Sequence, residues 1–239
     1  MLLSASMNEQ PTGFLLIDKP AGITSHDVVD KLRRITKIKK IGHAGTLDPF
    51  ATGLLILAVS RSATKKISEF VGMDKDYEAE FVIGATTETL DSEAKIILDE
   101  HKPNEISDID ILSAIESLTG EIAQIPPMYS AIKKDGKKLY ELARKGETIK
   151  REPRHVTIYE FNQLSKSIIE SGLVKLKVHI KCSSGTYIRA LARDLATKLG
   201  TTGYVSELRR TSIGNFLIKD AKKLEDLSPE NWQDHLLNL

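Results

Sequence analysis

The hydrophobic pattern of the chain changes period along its length, which predicts both strands and helices. Residues 13–17 and 53–59 are continuous apolar runs, and the second is apolar on both faces, as in the middle of a covered sheet. Residues 77–83 and 174–182 alternate apolar with polar positions, which is typical of strands with one solvated face. A further strand is predicted over 208–218.

Helical spacing of apolar residues occurs in other segments. These are residues 28–35, 63–70, 107–118 and 188–199. Thr24 or Ser25 can cap the first helix, while Ser107 and Asp110 form a capping-box pattern at the third. Strands and helices follow each other without strict alternation, which predicts an α+β fold with a mixed, largely antiparallel central sheet flanked by helices. We expect one domain over residues 13–221.

Residues 124–154 interrupt this pattern and are rich in lysine and arginine. Two prolines within residues 125–129 exclude a regular helix or a central strand there. A basic, irregular excursion of this length is usually functional or disordered, and we interpret it as a flap that closes on a ligand. Residues 1–12 and 222–239 are expected to be short tails.

The composition is that of a soluble globular protein. Apolar residues make up 41% of the 239 residues and charged residues 28%. No apolar run approaches the roughly 18 residues of a membrane helix, and the first ten residues lack a signal pattern. We therefore expect a cytoplasmic protein without a membrane partner. Cys182 is the only cysteine, which excludes an internal disulfide.

The net charge of +1 conceals a strong segregation of charge. Residues 31–40 hold six basic residues and no acid, and residues 133–154 hold nine basic residues against four acids. Residues 88–121, by contrast, hold ten acids and two lysines. Either basic run alone could be an ordinary solvated surface, but together they indicate a basic face of the kind that binds a phosphate backbone.

The best candidate for chemistry is the segment Gly-His-Ala-Gly-Thr-Leu-Asp-Pro at residues 42–49. Its glycines permit positive φ and a close approach of ligand to main chain, and Pro49 restricts the conformation of Asp48. The same residues could form an ordinary turn. The basic run before it and the buried strand after it favour a functional loop.

Other chemistries find no support in the sequence. There is no glycine-rich nucleotide-binding motif, so we expect no cofactor. The six histidines show no pair at metal-binding spacing, so we expect no metal site. Ser183 and Ser184 lack the pattern of a nucleophile elbow, and Cys182 is interpreted as a core residue of a strand.

Several long motifs in collinear order resemble the TruB family of bacterial tRNA pseudouridine 55 synthases. They are GFLLIDKPAGITS at 13–25, KIGHAGTLDPFATG at 40–53, KDY at 75–77, GATTETLD at 84–91, PPMYSA at 126–131 and SGTYIR at 184–189. The resemblance covers residues 13–221. It implies the pseudouridine synthase fold and an enzyme that isomerises uridine 55 in the T-loop of tRNA to pseudouridine. No cofactor is implied.

The same resemblance assigns roles to individual residues. Asp48 falls on the catalytic aspartate, which either attacks C1′ of the ribose or abstracts a ribose proton. Tyr77 falls on the aromatic face that holds the flipped base and on the candidate general base for C5. Arg189 falls on the arginine that pairs with this aspartate. The remaining assignments are His43 in space vacated by the base, Asp91 at the uracil edge, Tyr187 and Leu208 in the pocket lining, and Lys19 with Pro20 as support for the active site.

Alternative interpretations differ in what they explain. Without the resemblance, Tyr77 would be ordinary sheet packing. Arg189 lies in the first turn of a predicted helix, where a cation is unfavourable, so a carboxylate partner is expected on physical grounds alone. A non-catalytic factor that binds and folds tRNA would need the basic surfaces but not Asp48. A glycosidase-like hydrolase would need a second carboxylate.

One departure from the family concerns its C-terminal end. TruB proteins commonly end in a small RNA-binding domain called PUA, and fewer than twenty residues follow Ala221 here. We therefore expect no PUA domain, which bears on the affinity for RNA but not on the chemistry. The expected partner is the T-arm of tRNA, and the expected oligomeric state is a monomer.

Overall fold

A computed structural model describes residues 10–100, 106–134 and 136–238. The chain divides into two compact units, one of residues 1–72 with 214–239 and one of residues 73–213. The tail predicted at residues 1–12 falls mostly outside the described residues.

Strands outnumber helices along the described part of the chain. The strands are β1 (Gly13–Lys19), β2 (Ile41–Ala44), β3 (Thr52–Val59), β4 (Lys75–Ile83), β5 (Ala85–Thr86), β6 (Ile97–Leu98), β7 (Gly120–Gln124), β8 (Lys133–Lys134), β9 (Lys137–Lys138), β10 (Arg154–Gln163), β11 (Ile168–Glu170), β12 (Leu173–Cys182), β13 (Gly203–Ile213), β14 (Phe216–Leu217) and β15 (Lys222–Lys223). The helices are α1 (Ser25–Thr36), α2 (Ser60–Lys65), α3 (Ile67–Val71), α4 (Asp108–Ser117), α5 (Leu139–Ala143) and α6 (Ile188–Lys198).

In the first unit, β3 pairs antiparallel with β1 on one side and with β2 on the other. Every residue of β3 after Thr52 is buried, as its continuous apolar run predicts. One face of β1 and β3 packs against the apolar stripe of α1, which includes Val28, Val29 and Leu32. This sheet and helix support the loop that runs from β2 to β3.

The residues after 221 belong to the core of the first unit. β15 pairs parallel with β1, and Leu224, Leu227 and Trp232 pack into the same hydrophobic cluster as α1. Trp232 is only 3% exposed. Residues 222–238 are therefore anchored to the sheet of this unit at several points, although their composition resembles that of a tail.

In the second unit, the strands lie in the order β13, β4, β12, β10 and β7, and all neighbours are antiparallel. The period-two pattern of β12 is confirmed, because its apolar positions are buried and its lysines are more exposed. Helix α4 begins with the predicted capping box of Ser107 and Asp110. Together with the parallel pair of β1 and β15, these ladders confirm the predicted mixed, largely antiparallel α+β fold.

Several boundaries differ from the prediction. Residues 42–44 belong to β2, β13 begins at Gly203, and the helix predicted over 63–70 is the two short helices α2 and α3. β7 and β10 were not predicted, because their buried positions are interrupted by exposed polar residues. The two strands pair with each other across thirty or more residues, and this pairing decides their conformation.

The described part of the chain contains no helix that is both long and apolar enough to cross a membrane.

Candidate active site

The loop that carries Asp48 begins where β2 ends. Gly45 has a φ of +86°, a left-handed conformation that glycine adopts without the steric cost of a Cβ atom. Asp48 is half-buried and follows the buried Leu47. The Ala51 amide donates to the Asp48 carbonyl at 3.2 Å, which closes a turn around Pro49. The chain then enters β3 directly.

Two side chains hold the main chain on either side of Asp48. Ser25 Oγ accepts a hydrogen bond from the Leu47 amide at 2.9 Å and donates to the Leu47 carbonyl at 3.1 Å. Lys19 Nζ donates to the Pro49 carbonyl at 3.2 Å, and the Gly22 amide donates to the same oxygen at 2.9 Å. These bonds fix both neighbours of Asp48, so they set the direction in which its side chain leaves the loop.

Lys19 is a fully buried lysine at the end of β1. Besides the Pro49 carbonyl, its ammonium donates to the carbonyls of Pro20 at 2.9 Å and Ile23 at 2.8 Å. A buried ammonium is tolerated only when such hydrogen bonds replace its hydration. The turn after β1 and the Asp48 loop are therefore held around one cation.

A local sequence signal places Ser25 at this loop. Thr24 is the N-cap of α1, and its hydroxyl accepts from the Asp27 amide at 3.1 Å. The Asp27 carboxylate accepts from the Thr24 amide at 2.8 Å, and the hydrogen bonds from Thr24 lower the pKa of Asp27. The capping box fixes where α1 begins, and Ser25 is its first residue.

His43, on β2, is half-buried and lies opposite Leu57 of β3.

In the second unit, Arg189 lies in the first turn of α6 and is only 4% exposed. Its Nη1 donates to the Thr89 carbonyl at 2.6 Å, and its Nη2 donates to the Tyr129 carbonyl at 2.7 Å. The same Nη1 lies 3.3 Å from Asp91 Oδ2. One guanidinium thus joins three segments that are far apart in sequence.

The carboxylate of Asp91 is itself held in place. It is 2% exposed, and its Oδ1 accepts from the Thr89 hydroxyl at 2.5 Å and from the Glu93 amide at 3.0 Å. The Thr87 hydroxyl accepts from the Asp91 amide at 3.0 Å and donates to the Asp91 carbonyl at 2.7 Å. These bonds leave Oδ2 directed at Arg189.

Asp91 confirms the carboxylate partner that the position of Arg189 in a helix first turn predicts. A buried ion pair of this kind is stable only where further hydrogen bonds satisfy both groups, as the Thr89 and Tyr129 carbonyls do for the guanidinium. The pairing of Arg189 with Asp48 that the family resemblance implies stays a prediction.

Tyr187, the N-cap residue of α6, is half-buried and lies two residues before Arg189. Its amide donates to Oε1 of Gln124 at 2.8 Å. Gln124 is the last residue of β7 and is 1% exposed. A side chain from a distant strand therefore fixes the point where the chain enters α6.

Tyr77 and Leu208 lie on the neighbouring strands β4 and β13. Tyr77 is opposite Arg210 in the ladder, and Leu208 is opposite Ala79. Directly opposite residues share a face of an antiparallel sheet, so Leu208 is on the same face as Ala79. Tyr77 is two residues before Ala79 on β4 and is on that face as well. Both are buried, with 8% and 7% of their surface exposed.

Two titratable groups with shifted pKa values lie opposite each other on β4 and β12. Burial of the Lys75 ammonium, with the charge of Arg210 acting in the same direction, lowers the pKa of Lys75 to about 8. Cys182 is opposite Lys75 in the ladder, and burial raises the pKa of its thiol to about 12. The interpretation of Cys182 as a core residue is confirmed, because it is only 1% exposed.

The structure therefore brings Lys19 to the loop of Asp48 in one unit, and Asp91 and Tyr187 to Arg189 in the other. Sequence reasoning missed Gln124 and gave Ser25 only a capping role. A glutamine before two prolines carries no local signal, since the amide that it binds lies 63 residues away. For Ser25, the sequence did carry a signal: if Thr24 caps α1, the Ser25 hydroxyl is not needed for capping and can bind elsewhere.

Among the described residues, no group of three or more His, Cys, Asp or Glu side chains could hold a metal ion.

Two family models together match most of the chain. One is described as the N-terminal domain of TruB family pseudouridylate synthases and matches residues 33–188. The other is described as the tRNA pseudouridylate synthase B C-terminal domain and matches residues 189–238. The second match includes Arg189, Leu208 and the packed residues after 221.

Bacterial relatives named tRNA pseudouridine synthase B are similar over nearly the whole chain. The protein of Lactococcus lactis subsp. lactis is 46% identical over 223 residues, which are 92% of this chain and 68% of the relative. The protein of Corynebacterium efficiens is 46% identical and covers 91% and 72%, respectively. For the protein of Mycobacterium sp. strain KMS, the identity is 45% and the coverage 95% and 75%.

Solved structures of two complexes that contain Cbf5 and Nop10 share the fold. The chain matches one from an archaeal box H/ACA Nop10–Cbf5 complex with a TM-score of 0.65 and 25% identity, over 93% of this chain. It matches one from a Cbf5–Nop10–Gar1 complex with a TM-score of 0.64 and 29% identity, over 90% of this chain. It spans about half of those longer chains, 55% and 53%. By the two family models and these relatives, the chain belongs to the TruB family of pseudouridylate synthases.

Proposed function

We propose that this protein isomerises uridine 55 in the T-loop of tRNA to pseudouridine. In this reaction the N1–C1′ bond breaks, C5 bonds to C1′, the C5 proton leaves and N1 takes up a proton. The product has the atoms of the substrate, so no cofactor is required. The observation that carries the proposal is the Asp48 loop, whose main chain is held on both sides by buried side chains, within a chain of this family.

Asp48 is the proposed catalytic residue at the sugar. It acts at C1′ as a nucleophile or takes a proton from the ribose, and both roles need an ionised carboxylate at a fixed position. The hydrogen bonds at Leu47 and Pro49 supply that position. Preorganisation of this kind is a large part of catalysis, because a poorly placed group loses most of its effect.

Tyr77 and Arg189 are the proposed partners of Asp48 in catalysis. The phenol ring of Tyr77 would stack on the flipped uracil, and its oxygen would take the proton from C5. Arg189 would pair with Asp48 and keep it ionised, since a nearby cation favours the charged form of a carboxyl group. A guanidinium has enough donors to do this while it also binds the Thr89 and Tyr129 carbonyls.

The other predicted residues are proposed to bind the substrate or to shape the site around it. Asp91 would bind the uracil edge, Tyr187 and Leu208 would line the pocket, His43 would fill the space that the base leaves, and Lys19 would support the Asp48 loop. The buried, hydrogen-bonded settings of Asp91 and Lys19 support fixed positions for both side chains.

The proposed partner is the T-arm of tRNA, bound by a monomer in the cytoplasm. Five of the six basic residues in the 31–40 run are exposed, while the sixth, Arg33, binds Asp30 at 2.8 Å. In the flap, Lys138 Nζ and the Arg144 guanidinium lie 5.3 and 5.4 Å from the ring centre of Tyr140. Cations next to an aromatic ring suit both phosphates and bases of RNA.

A tritium-release assay tests the proposal. Unmodified tRNA transcript labelled with tritium at C5 of its uridines is incubated with the protein, and tritium in water is measured. We expect release of about one tritium per tRNA, and none from a transcript with cytidine at position 55. A protein that only binds and folds tRNA would release none, and a glycosidase-like hydrolase would release free uracil instead.

A further inference from the structure

The flap has a single root in the second unit. It leaves the sheet at the end of β7 and returns at the start of β10, where Gln124 and Arg154 are register partners in the antiparallel ladder. Both ends of the excursion therefore meet at one position. A side chain at this position can transmit the placement of the flap to whatever it contacts.

The start of α6 is fastened to the segment that follows this root. Arg193 Nη2 donates to the Ile125 carbonyl at 2.9 Å, and Arg189 Nη2 donates to the Tyr129 carbonyl at 2.7 Å. The two arginines are four residues apart, so they project from the same face of the helix. In a third contact the acceptor is a side chain, because Gln124 Oε1 accepts from the Tyr187 amide at 2.8 Å.

The third contact differs from the other two in its chemistry. Its acceptor is a side chain and its donor is a main-chain amide, so it fixes the backbone of α6 itself. The donor identifies the contacting atom of Gln124 as the carbonyl oxygen. The amide nitrogen, Nε2, is buried and has no hydrogen-bond partner in residues 10–100, 106–134 and 136–238. An apolar side chain of the same length would remove this unsatisfied nitrogen, but it would also take the acceptor away from the Tyr187 amide.

We propose that Gln124 is a positioning residue for catalysis: through the Tyr187 amide it sets the start of α6, and with it the place of Arg189. This rests on the proposed function. Gln124 touches neither the substrate nor the reacting atoms in this role. It links the root of the flap to the helix turn that carries the arginine.

Two substitutions separate the hydrogen bond from simple packing. Gln124→Met keeps the length of the side chain but removes the acceptor, whereas Gln124→Glu keeps an oxygen that can accept from the Tyr187 amide in either protonation state. Ser183→Ala is the matched control. Ser183 Oγ accepts from the Thr157 amide at 2.9 Å, so its loss also removes a side-chain acceptor from a main-chain amide in the same unit.

The measurement is the single-turnover rate of tritium release at saturating protein, with tRNA affinity and hydrogen exchange of the Tyr187 amide measured beside it. We expect Gln124→Met to lower the rate about 30-fold, with affinity within about threefold of the parent, because small misplacements of a catalytic group are costly. Gln124→Glu should restore the rate to within about threefold. The Tyr187 amide should exchange faster in Gln124→Met only.

Three outcomes would overturn the inference. A rate for Gln124→Met as high as that of Ser183→Ala would make the contact merely structural. A rate for Gln124→Glu as low as that of Gln124→Met would assign the effect to Nε2 instead of the Tyr187 contact. If the Tyr187 amide exchanged at the same rate in Gln124→Met and in the parent, Gln124 would not be its hydrogen-bond acceptor in solution. The parent separates the two proposals, since an inactive parent contradicts the proposed function, whereas an active parent with an equally active Gln124→Met contradicts only this inference.

Discussion

The loop of Asp48 and the first turn of α6 are stabilised by opposite arrangements. Around Asp48, the main chain is held by Ser25 and Lys19, which are different residues from the one proposed for chemistry. At α6, Arg189 itself binds the Thr89 and Tyr129 carbonyls and faces Asp91. Chemistry and support are therefore separable in the first region and combined in a single side chain in the second.

This difference predicts how substitutions divide between activity and stability. A change at Asp48 should affect turnover far more than stability, and a change at Lys19 should affect stability first. A change at Arg189 should affect both. Substitutions at these three positions and on the basic surface test the comparison, in order of decreasing expected effect.

Asp48→Asn is expected to lower turnover about 1,000-fold or more, a size typical for the loss of an essential acid–base or nucleophilic group. The amide is nearly isosteric but cannot serve as nucleophile or base. The free energy of unfolding and the tRNA affinity should stay close to those of the parent. Tritium release, denaturant unfolding and tRNA binding measure the three quantities.

The control for Asp48→Asn is Asp30→Asn, which removes the same charge from an exposed position on α1. It should leave turnover unchanged. Turnover of Asp48→Asn within about tenfold of the parent, a barrier change of about 1.4 kcal/mol, would exclude Asp48 as the essential group.

Lys19→Met is expected to lower the free energy of unfolding by about 3 kcal/mol, because it leaves three main-chain carbonyls without their charged donor. Lys19 donates to carbonyls of the turn after β1 and of the Asp48 loop. Urea unfolding of this variant is compared with that of Lys31→Met, a change at an exposed lysine of α1. Equal stability of the two variants would show that the buried ammonium does not hold the loop.

Arg189→Lys is expected to lower turnover about 30-fold and tRNA affinity less than about threefold, since lysine lacks the planar fork that serves several acceptors at once. It should also lower the free energy of unfolding by about 1–3 kcal/mol, because one of the carbonyls at Thr89 and Tyr129 loses its donor.

Arg61→Lys, at an exposed site, is the control for the loss of a guanidinium. If Arg189→Lys bound tRNA poorly but turned over normally, Arg189 would be a phosphate contact. If its stability were that of the parent, the contrast between the two regions would be wrong.

Lys39→Ala with Lys40→Ala is expected to have the smallest effect, a weaker dependence of tRNA affinity on salt. Each phosphate contact contributes a slope of about −0.9 to log affinity against log salt on a duplex, so losing one or two contacts should reduce the slope by about 1–2. Both full tRNA and an isolated T-arm stem-loop are titrated, and we expect the T-arm to be a competent substrate.

The control pair for this titration is Lys222→Ala with Lys223→Ala, two exposed lysines on β15. It should leave the slope unchanged. An equal change in both double variants, or much weaker binding of the T-arm than of full tRNA, would place the RNA on a different surface.

The sequence by itself determined features that depend on neighbouring residues. The cap of α1 at Thr24 or Ser25, the capping box at Ser107, the two-sided burial of β3 and the alternation of β12 were predicted correctly, because hydrogen bonds and periodicity within a few residues decide them. The collinear motifs likewise sufficed to predict the family. The carboxylate partner of Arg189 followed from helix electrostatics, although not which carboxylate it was.

Only the tertiary structure decided which groups meet. Lys19 reaches the Pro49 carbonyl across 30 residues, Gln124 reaches the Tyr187 amide across 63, and Arg189 reaches the Thr89 carbonyl across 100. The same is true of the pairing of β7 with β10 and of the burial of Trp232. Such contacts depend on how strands pair and helices pack. Every residue has the same main-chain carbonyl, so the sequence does not show which carbonyl a side chain will bind.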